Sequence, residues 1–212
     1  MHIAIIANGE IKDYMATKNK LQEAAFVIAC DGGLRHADVM DVLPGVIIGD
    51  LDSAPSSYLS YCKSKGVPIH VYPAQKDDTD LALSMLYALE KCPSSIVIVG
   101  ALGGRVDHQL ANFHVLAMAK DIPAEIWDDG ISVQIVNDRI CLPKEDYQIV
   151  SLIPLSTEVT GITTQGLVYP LNGEALSLGI VRGVSNCFSA EEVIVTIESG
   201  TLLVMRCRET SY

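Results

Sequence analysis

The chain has 212 residues, 49% of them hydrophobic and 19% charged, with a formal net charge of −11. That apolar content supports a buried core and weighs against global disorder, while the acidic balance weighs against a nucleic-acid groove, which needs clustered Lys and Arg. No apolar run approaches the roughly 20 residues of a membrane span, so neither membrane nor nucleic acid is expected as a partner.

In chain order, the opening MHIAIIANGE has no basic region and no typical cleavage site, and reads as a first strand rather than a signal peptide. Further strand-like apolar runs follow at 26–30 (FVIAC), 45–49 (GVIIG), 68–73 (PIHVYP), 95–101 (SIVIVGA) and 123–127 (PAEIW). Continuous runs of this kind suit a parallel sheet covered on both faces. Helix-like segments lie between several of them, clearest at 81–89 and 110–120. Strand, loop, helix, strand implies right-handed βαβ units in a doubly wound, mostly parallel, Rossmann-like sheet.

The pattern changes near Asp128-Asp129-Gly130. Beyond it come short strand runs (ISVQIV, YQIVSLIPL, EVTGITT, EEVIVTIES, TLLVMRCR), with turn signals at Asn172-Gly173 and Ser199-Gly200 and one helical turn expected at 174–178. The expected architecture is therefore α/β plus all-β, with residues 1–129 as the α/β domain and 130–212 as a β-sandwich. The six cysteines, at 30, 62, 92, 141, 187 and 207, include no C-x-x-C pair. Buried thiols of a cytoplasmic protein account for them better than disulfides or zinc ligands.

In an open parallel sheet, ligands bind beyond the carboxyl ends of the strands. The loops at those ends read Asp31-Gly32-Gly33, Gly49-Asp50-Leu51-Asp52-Ser53, Gln75-Lys76-Asp77-Asp78-Thr79-Asp80, and GALGGRVDH over 100–108. Singly, each is an ordinary turn or helix cap. Jointly, they gather Asp31, Asp50, Asp52, Asp77, Asp78 and Asp80 on one rim, where the charges would repel without a cation. Magnesium suits such a set, because hard cations take carboxylate oxygens and share phosphate ligands with a substrate. The glycine-rich turn offers backbone N–H groups to phosphate, and Arg105 and Lys76 add cationic donors. The result is a metal–polyphosphate site. It carries no G-x-x-x-x-G-K-[ST] loop, G-x-G-x-x-G fingerprint or protein-kinase signature.

A haloacid-dehalogenase-like D-x-D-x-[TV] is not met, since Ala54 holds its fifth position. The ordered set DGG (31–33), GDLDS (49–53), KDDTD (76–80), GALGGRVDH (100–108), GLVYPL (166–171) and GVSNCF (183–188) instead resembles the thiamine pyrophosphokinase family in its bacterial form. The resemblance spans both expected domains. It implies an ATP- and magnesium-binding catalytic domain over 1–129 and a thiamine-binding, dimerising sandwich over 130–212. In the implied reaction, a homodimer moves the β,γ-diphosphate of ATP to the hydroxyl of thiamine, releasing AMP. Carried onto this chain, Asp50, Asp52 and Asp80 become the expected magnesium ligands. Asp77 joins the metal shell or accepts the alcohol proton, and Asp31 is a further carboxylate at the rim. Lys76, Gly103, Gly104, Arg105, Asp107 and His108 are expected on the ATP side, and Tyr169, Ser185, Asn186 and Phe188 on the thiamine side. The alternatives are a related diphosphokinase acting on 6-hydroxymethylpterin, a magnesium-dependent phosphatase or nucleotide hydrolase using Asp50 as nucleophile, and a nucleotide-binding module without turnover.

Overall fold

The computed structural model describes residues 1–73, 75, 77–120 and 122–208. The chain divides into two compact units, Met1–Asp129 and Gly130–Tyr212.

The first unit holds strands β1 (His2–Ile6), β2 (Phe26–Cys30), β3 (Val46–Gly49), β4 (Ile69–Val71), β5 (Ser95–Val99) and β6 (Ala124–Asp128). Its helices are α1 (Tyr14–Leu21), α2 (Leu34–Met40), α3 (Ser56–Ser64), α4 (Asp80–Glu90) and α5 (Val106–Val115). The strands pair in parallel in the order β6-β5-β1-β2-β3-β4. From β1 the chain builds outward through β2, β3 and β4, then returns to place β5 on the other side of β1. The order thus reverses between β1 and β5, which is where a ligand crevice forms in such sheets. The apolar runs are continuous because both sheet faces are covered: Ile3, Ile5, Ile28, Ile47, Ile96 and Ile98 are all buried.

Helix α4 shows why these segments fold as they do. Thr79 caps it, its Oγ1 accepting from the Ala82 N–H at 3.2 Å, and Asp80 stands in the first turn, where a negative charge complements the helix dipole. Leu81, Met85 and Ala88 then bury one face at helical spacing. Helix α5 starts at Val106, four residues before the apolar stripe expected from 110, and ends in a 3₁₀ turn at Leu116–Ala119. Trp127 packs against the core of this unit, with Lys20 Nζ 5.8 Å from its ring centroid.

The second unit holds β7 (Ile131–Val136), β8 (Arg139–Pro143), β9 (Ile149–Pro154), β10 (Glu158–Gln165), β11 (Glu174–Ser177), β12 (Asn186–Cys187), β13 (Glu192–Thr196) and β14 (Leu202–Cys207). They form two antiparallel layers, β12-β9-β14-β7 and β11-β10-β13-β8. Val136, Val150, Leu152, Leu202 and Val204 of one layer meet Leu142, Val159, Ile162, Leu176, Val193 and Val195 of the other. An α/β sheet followed by a β-sandwich is the architecture the sequence predicts. The helical turn expected at 174–178 is instead strand β11, whose Leu176 fills the sandwich core. None of the six cysteines is in a disulfide. Cys30 and Cys62 are buried, but Cys92, Cys141 and Cys187 are exposed, so the buried-thiol expectation holds only for some. Among the described residues no helix is long and apolar enough to cross a membrane.

Candidate active site

The loops that leave the carboxyl ends of β1, β2, β3 and β5, with the start of α4, enclose a cleft of about 580 Å³ in the first unit. Asn8 and Gly9 follow β1, Asp31 follows β2, and Asp50, Asp52 and Ser53 follow β3. Asp78, Thr79 and Asp80 come from the start of α4, and Gly103, Gly104, Arg105, His108 and Asn112 from the β5 loop and α5. Asp77 is exposed and is not among the lining residues. Lys76 lies outside the described residues.

The acidic side is assembled by unusual backbone. Asp31 adopts φ 46° and Leu51 φ 67°, left-handed conformations uncommon for non-glycine residues and most of all for a bulky one such as leucine. Leu51 in this conformation turns the chain so that Asp50 and Asp52 serve the same site, and Asp50 Oδ1 accepts from the Asp52 N–H at 3.3 Å. Gly49 makes room for the neighbouring loop: a Cβ there would stand 2.7 Å from Asp31 Cβ. One oxygen from each of Asp31, Asp50 and Asp52 lies within 4.8 Å of the other two. Burial, and then the charges of Asp50, Asp80 and Asp52, push the Asp31 carboxyl above the usual carboxylate range, against a backbone hydrogen bond from Gly32. Asp31 Oδ1 is buried and has no hydrogen-bond partner among the described residues. Oxygen donors at this spacing, one of them buried and unsatisfied, fit a hard divalent cation. The tight trio is thus Asp31, Asp50 and Asp52, rather than Asp50, Asp52 and Asp80. Asp80 stands near enough to act on Asp31 electrostatically.

The opposite side is neutral to basic. Arg105 donates to Asp107 through Nε (3.1 Å, to Oδ1) and Nη2 (2.6 Å, to Oδ2), and Asp107 Oδ1 also accepts from the His108 N–H at 3.0 Å. The fork holds the Asp107 carboxyl down at about 2. Arg105 occupies the N-cap position of α5, and Asp107 is the second residue of the helix. The Gly103 N–H donates to Gln109 Oε1 at 3.1 Å, whereas Gly104, at φ 69°, faces open space. Gln109 and Asn112, whose Nδ2 donates to Ala101 O at 2.8 Å, shape this loop from within α5. Neither carries a motif, and only their helical offset from the glycines signals them. Asn8, Ser53 and Thr79 also line the cleft without having been singled out from the sequence.

In the second unit, Asn186 is a clamp. Its Oδ1 accepts from the Tyr169 N–H (3.1 Å) and Cys187 N–H (2.9 Å), and its Nδ2 donates to Tyr169 O (2.7 Å). This fixes a loop on which Tyr169 is 71% exposed. Phe188 is half-buried against the sandwich core and bridges Leu167. Ser185 is exposed at φ 61°, its N–H donating to Ser151 Oγ at 3.1 Å. The structure therefore brings Tyr169, Ser185 and Asn186 to one surface region and turns Phe188 inward.

Residues 17–127 match the thiamin pyrophosphokinase catalytic domain, and residues 138–202 match the thiamin pyrophosphokinase vitamin B1 binding domain. The chain belongs to the thiamin pyrophosphokinase family. It is 31% identical to the thiamine pyrophosphokinase of Bacillus subtilis over 78% of this chain and 79% of that protein. It is 29% identical to thiamine pyrophosphokinase 1 of Arabidopsis thaliana, over 79% and 67% of the two chains. Among solved structures, the Bacillus subtilis thiamine pyrophosphokinase superposes with a TM-score of 0.88 at 28% identity, covering 99% of this chain and all of the other. The Geobacillus thermodenitrificans thiamin pyrophosphokinase gives 0.85 at 26% identity, covering 100% and 99%. The catalytic-domain match contains the Asp31–Asp50–Asp52 trio and the 100–108 loop, and the vitamin B1 domain match contains Tyr169, Ser185, Asn186 and Phe188.

Proposed function

We propose that the protein transfers the β,γ-diphosphate of ATP to the hydroxyl of thiamine, giving thiamine diphosphate and AMP. The observation that carries this reading is the pairing, in one cleft, of the Asp31–Asp50–Asp52 carboxylates with the Gly103–Gly104–Arg105 rim, in a chain of this family. Carboxylates alone would expel a polyphosphate. A cation between them would turn the same cleft into a polyphosphate site.

In the proposed mechanism Asp31, Asp50 and Asp52, with Asp80 beside them, would hold Mg²⁺, which would supply neutralising charge for the phosphates. Arg105 releases Asp107 and takes phosphate oxygens in the same two-pronged geometry; both partners are exposed, so the exchange is cheap. The open face of Gly104 lets phosphate approach the backbone closely. His108 lines the same side and contacts the nucleotide. These residues orient the chain for in-line attack on the β-phosphorus, so that positioning and charge stabilisation do most of the work. On the thiamine side the exposed Tyr169 ring offers a face to a cationic aromatic substrate, Ser185 offers a hydroxyl, and Asn186 and Phe188 hold the loop from behind. The second unit also exposes Leu178, Ile180, Val181 and Val184 in one loop. Such apolar exposure suits a covered surface, and the active form is proposed as a homodimer.

The test is to incubate the protein with ATP, Mg²⁺ and thiamine, and to follow AMP and thiamine diphosphate together. The reading expects equal amounts of both, dependent on thiamine and on the divalent ion. Formation of ADP or free phosphate, or AMP only when 6-hydroxymethylpterin replaces thiamine, would overturn it.

A further inference from the structure

The loop after β1 lies at the reversal point of the sheet, and its backbone is tied from both sides. The Ala7, Gly9 and Glu10 N–H groups donate to Val99, Gly100 and Leu102 carbonyls at 2.8, 2.6 and 2.8 Å. From the other side, Arg35 Nη2 donates to the carbonyls of Asn8 (3.1 Å) and Gly9 (2.9 Å), and His36 Nε2 donates to Gly9 O at 2.9 Å. His36 is buried, which lowers its pKa and keeps the ring neutral. A carbonyl can only accept, so Nε2 carries the proton, and Nδ1 accepts from Tyr14 O–H at 2.9 Å.

One group in this loop is left over. The Asn8 side chain lines the cleft, is exposed, and makes no hydrogen bond to any described residue. It is not loose, because its carboxamide fills the space over Gly32 that any larger residue would occupy. Gly32 adjoins Asp31, and Gly9 adjoins the turn that leads to Gly103. A rigid loop that presents one neutral, unused amide between a carboxylate cluster and an arginine has a use for it. We infer that Asn8 binds the nucleotide, its Nδ2 donating to the phosphate chain where that chain crosses from the acidic cluster to the Gly103–Arg105 rim. A neutral donor suits this point, since a carboxylate would repel phosphate and a lysine would compete with the cation. The inference rests on the proposed reading of the cleft as an ATP–Mg²⁺ site.

The test measures MgATP binding by calorimetry without thiamine, alongside turnover and Tm, for wild type, Asn8→Ala and Asn8→Asp. Loss of a hydrogen bond to a charged group corresponds to about tenfold or more in affinity. The expected result is about tenfold weaker MgATP binding in Asn8→Ala and a larger loss in Asn8→Asp, with Tm near wild type and the KM for thiamine unchanged. Variants that bind MgATP within twofold of wild type would overturn the inference. So would a marked drop in Tm for Asn8→Ala, which would make the side chain structural. If wild type binds MgATP but forms no thiamine diphosphate, the diphosphate-transfer reading fails while the binding comparison still decides the role of Asn8.

Discussion

At the scale of single residues, Asp31 sets function against stability. Its carboxyl is buried beside Asp50, Asp52 and Asp80, and its pKa is raised by burial first and by those charges next. A raised carboxyl pKa means that the folded state holds its proton more tightly than the unfolded state. Its contribution to stability therefore falls as pH rises from the ordinary carboxylate value and stays low once the raised pKa is passed. Asp31→Asn should accordingly raise the Tm of the metal-free protein at pH 7 by about 2–4 °C, equivalent to about 1 kcal/mol for a chain of this size, and should reduce the Tm gain on adding Mg²⁺. Thermal melts with and without Mg²⁺, repeated at pH 5 where the Asp31→Asn advantage should shrink, check both parts. Ser84 offers a simpler case. Its hydroxyl is fully buried in α4 with no hydrogen-bond partner among the described residues, so Ser84→Ala should be neutral or stabilising by up to about 1 kcal/mol in urea unfolding. A loss of stability there would reveal a partner for the hydroxyl.

At the scale of elements, the strands of the first unit were legible because a doubly covered parallel sheet leaves uninterrupted apolar runs, as in HIAII and SIVIV. The loops at their carboxyl ends were legible as a group because Asp and Gly recur in all of them. Strand β11 was missed because EALS mixes good helix formers with one inward Leu, and the sandwich partner, not local propensity, decides its conformation. The start of α5 was missed because Val106 is exposed and the cap is an arginine, so neither stripe nor capping residue marks the boundary. The tight carboxylate trio was hidden for a different reason: it depends on positive φ at Asp31 and Leu51 and on the approach of Gly49 to Asp31, none of which has a local sequence signature. That arrangement is itself testable. Gly49, at φ 151°, has no room for a side chain. Gly49→Ala should cost about 1–3 kcal/mol of stability and weaken Mg²⁺-dependent activity by displacing Asp31, whereas Thr79→Ala, which removes the cap of α4 and leaves the carboxylate trio in place, should cost about 1 kcal/mol. Urea unfolding curves with parallel activity assays separate the two.

At the scale of the whole molecule, a net charge of −11 makes bound cations central to any dealing with polyphosphates. The second unit exposes Leu178, Ile180, Val181 and Val184, and the proposed homodimer predicts a solution mass about twice the 22.8 kDa of the chain. Light scattering after size exclusion measures it. Val181→Glu should shift the mass toward the monomer if this loop is covered by the partner, and an unchanged dimer would place the interface elsewhere. The proposed function makes one central chemical claim, that the diphosphate moves as a unit. The most direct measurement supplies ATP labelled at the β-phosphorus, with thiamine and Mg²⁺, and asks which product carries the label. The account predicts label in thiamine diphosphate with unlabelled AMP, and loss of both products in Asp52→Asn. Label recovered as ADP or inorganic phosphate would contradict it.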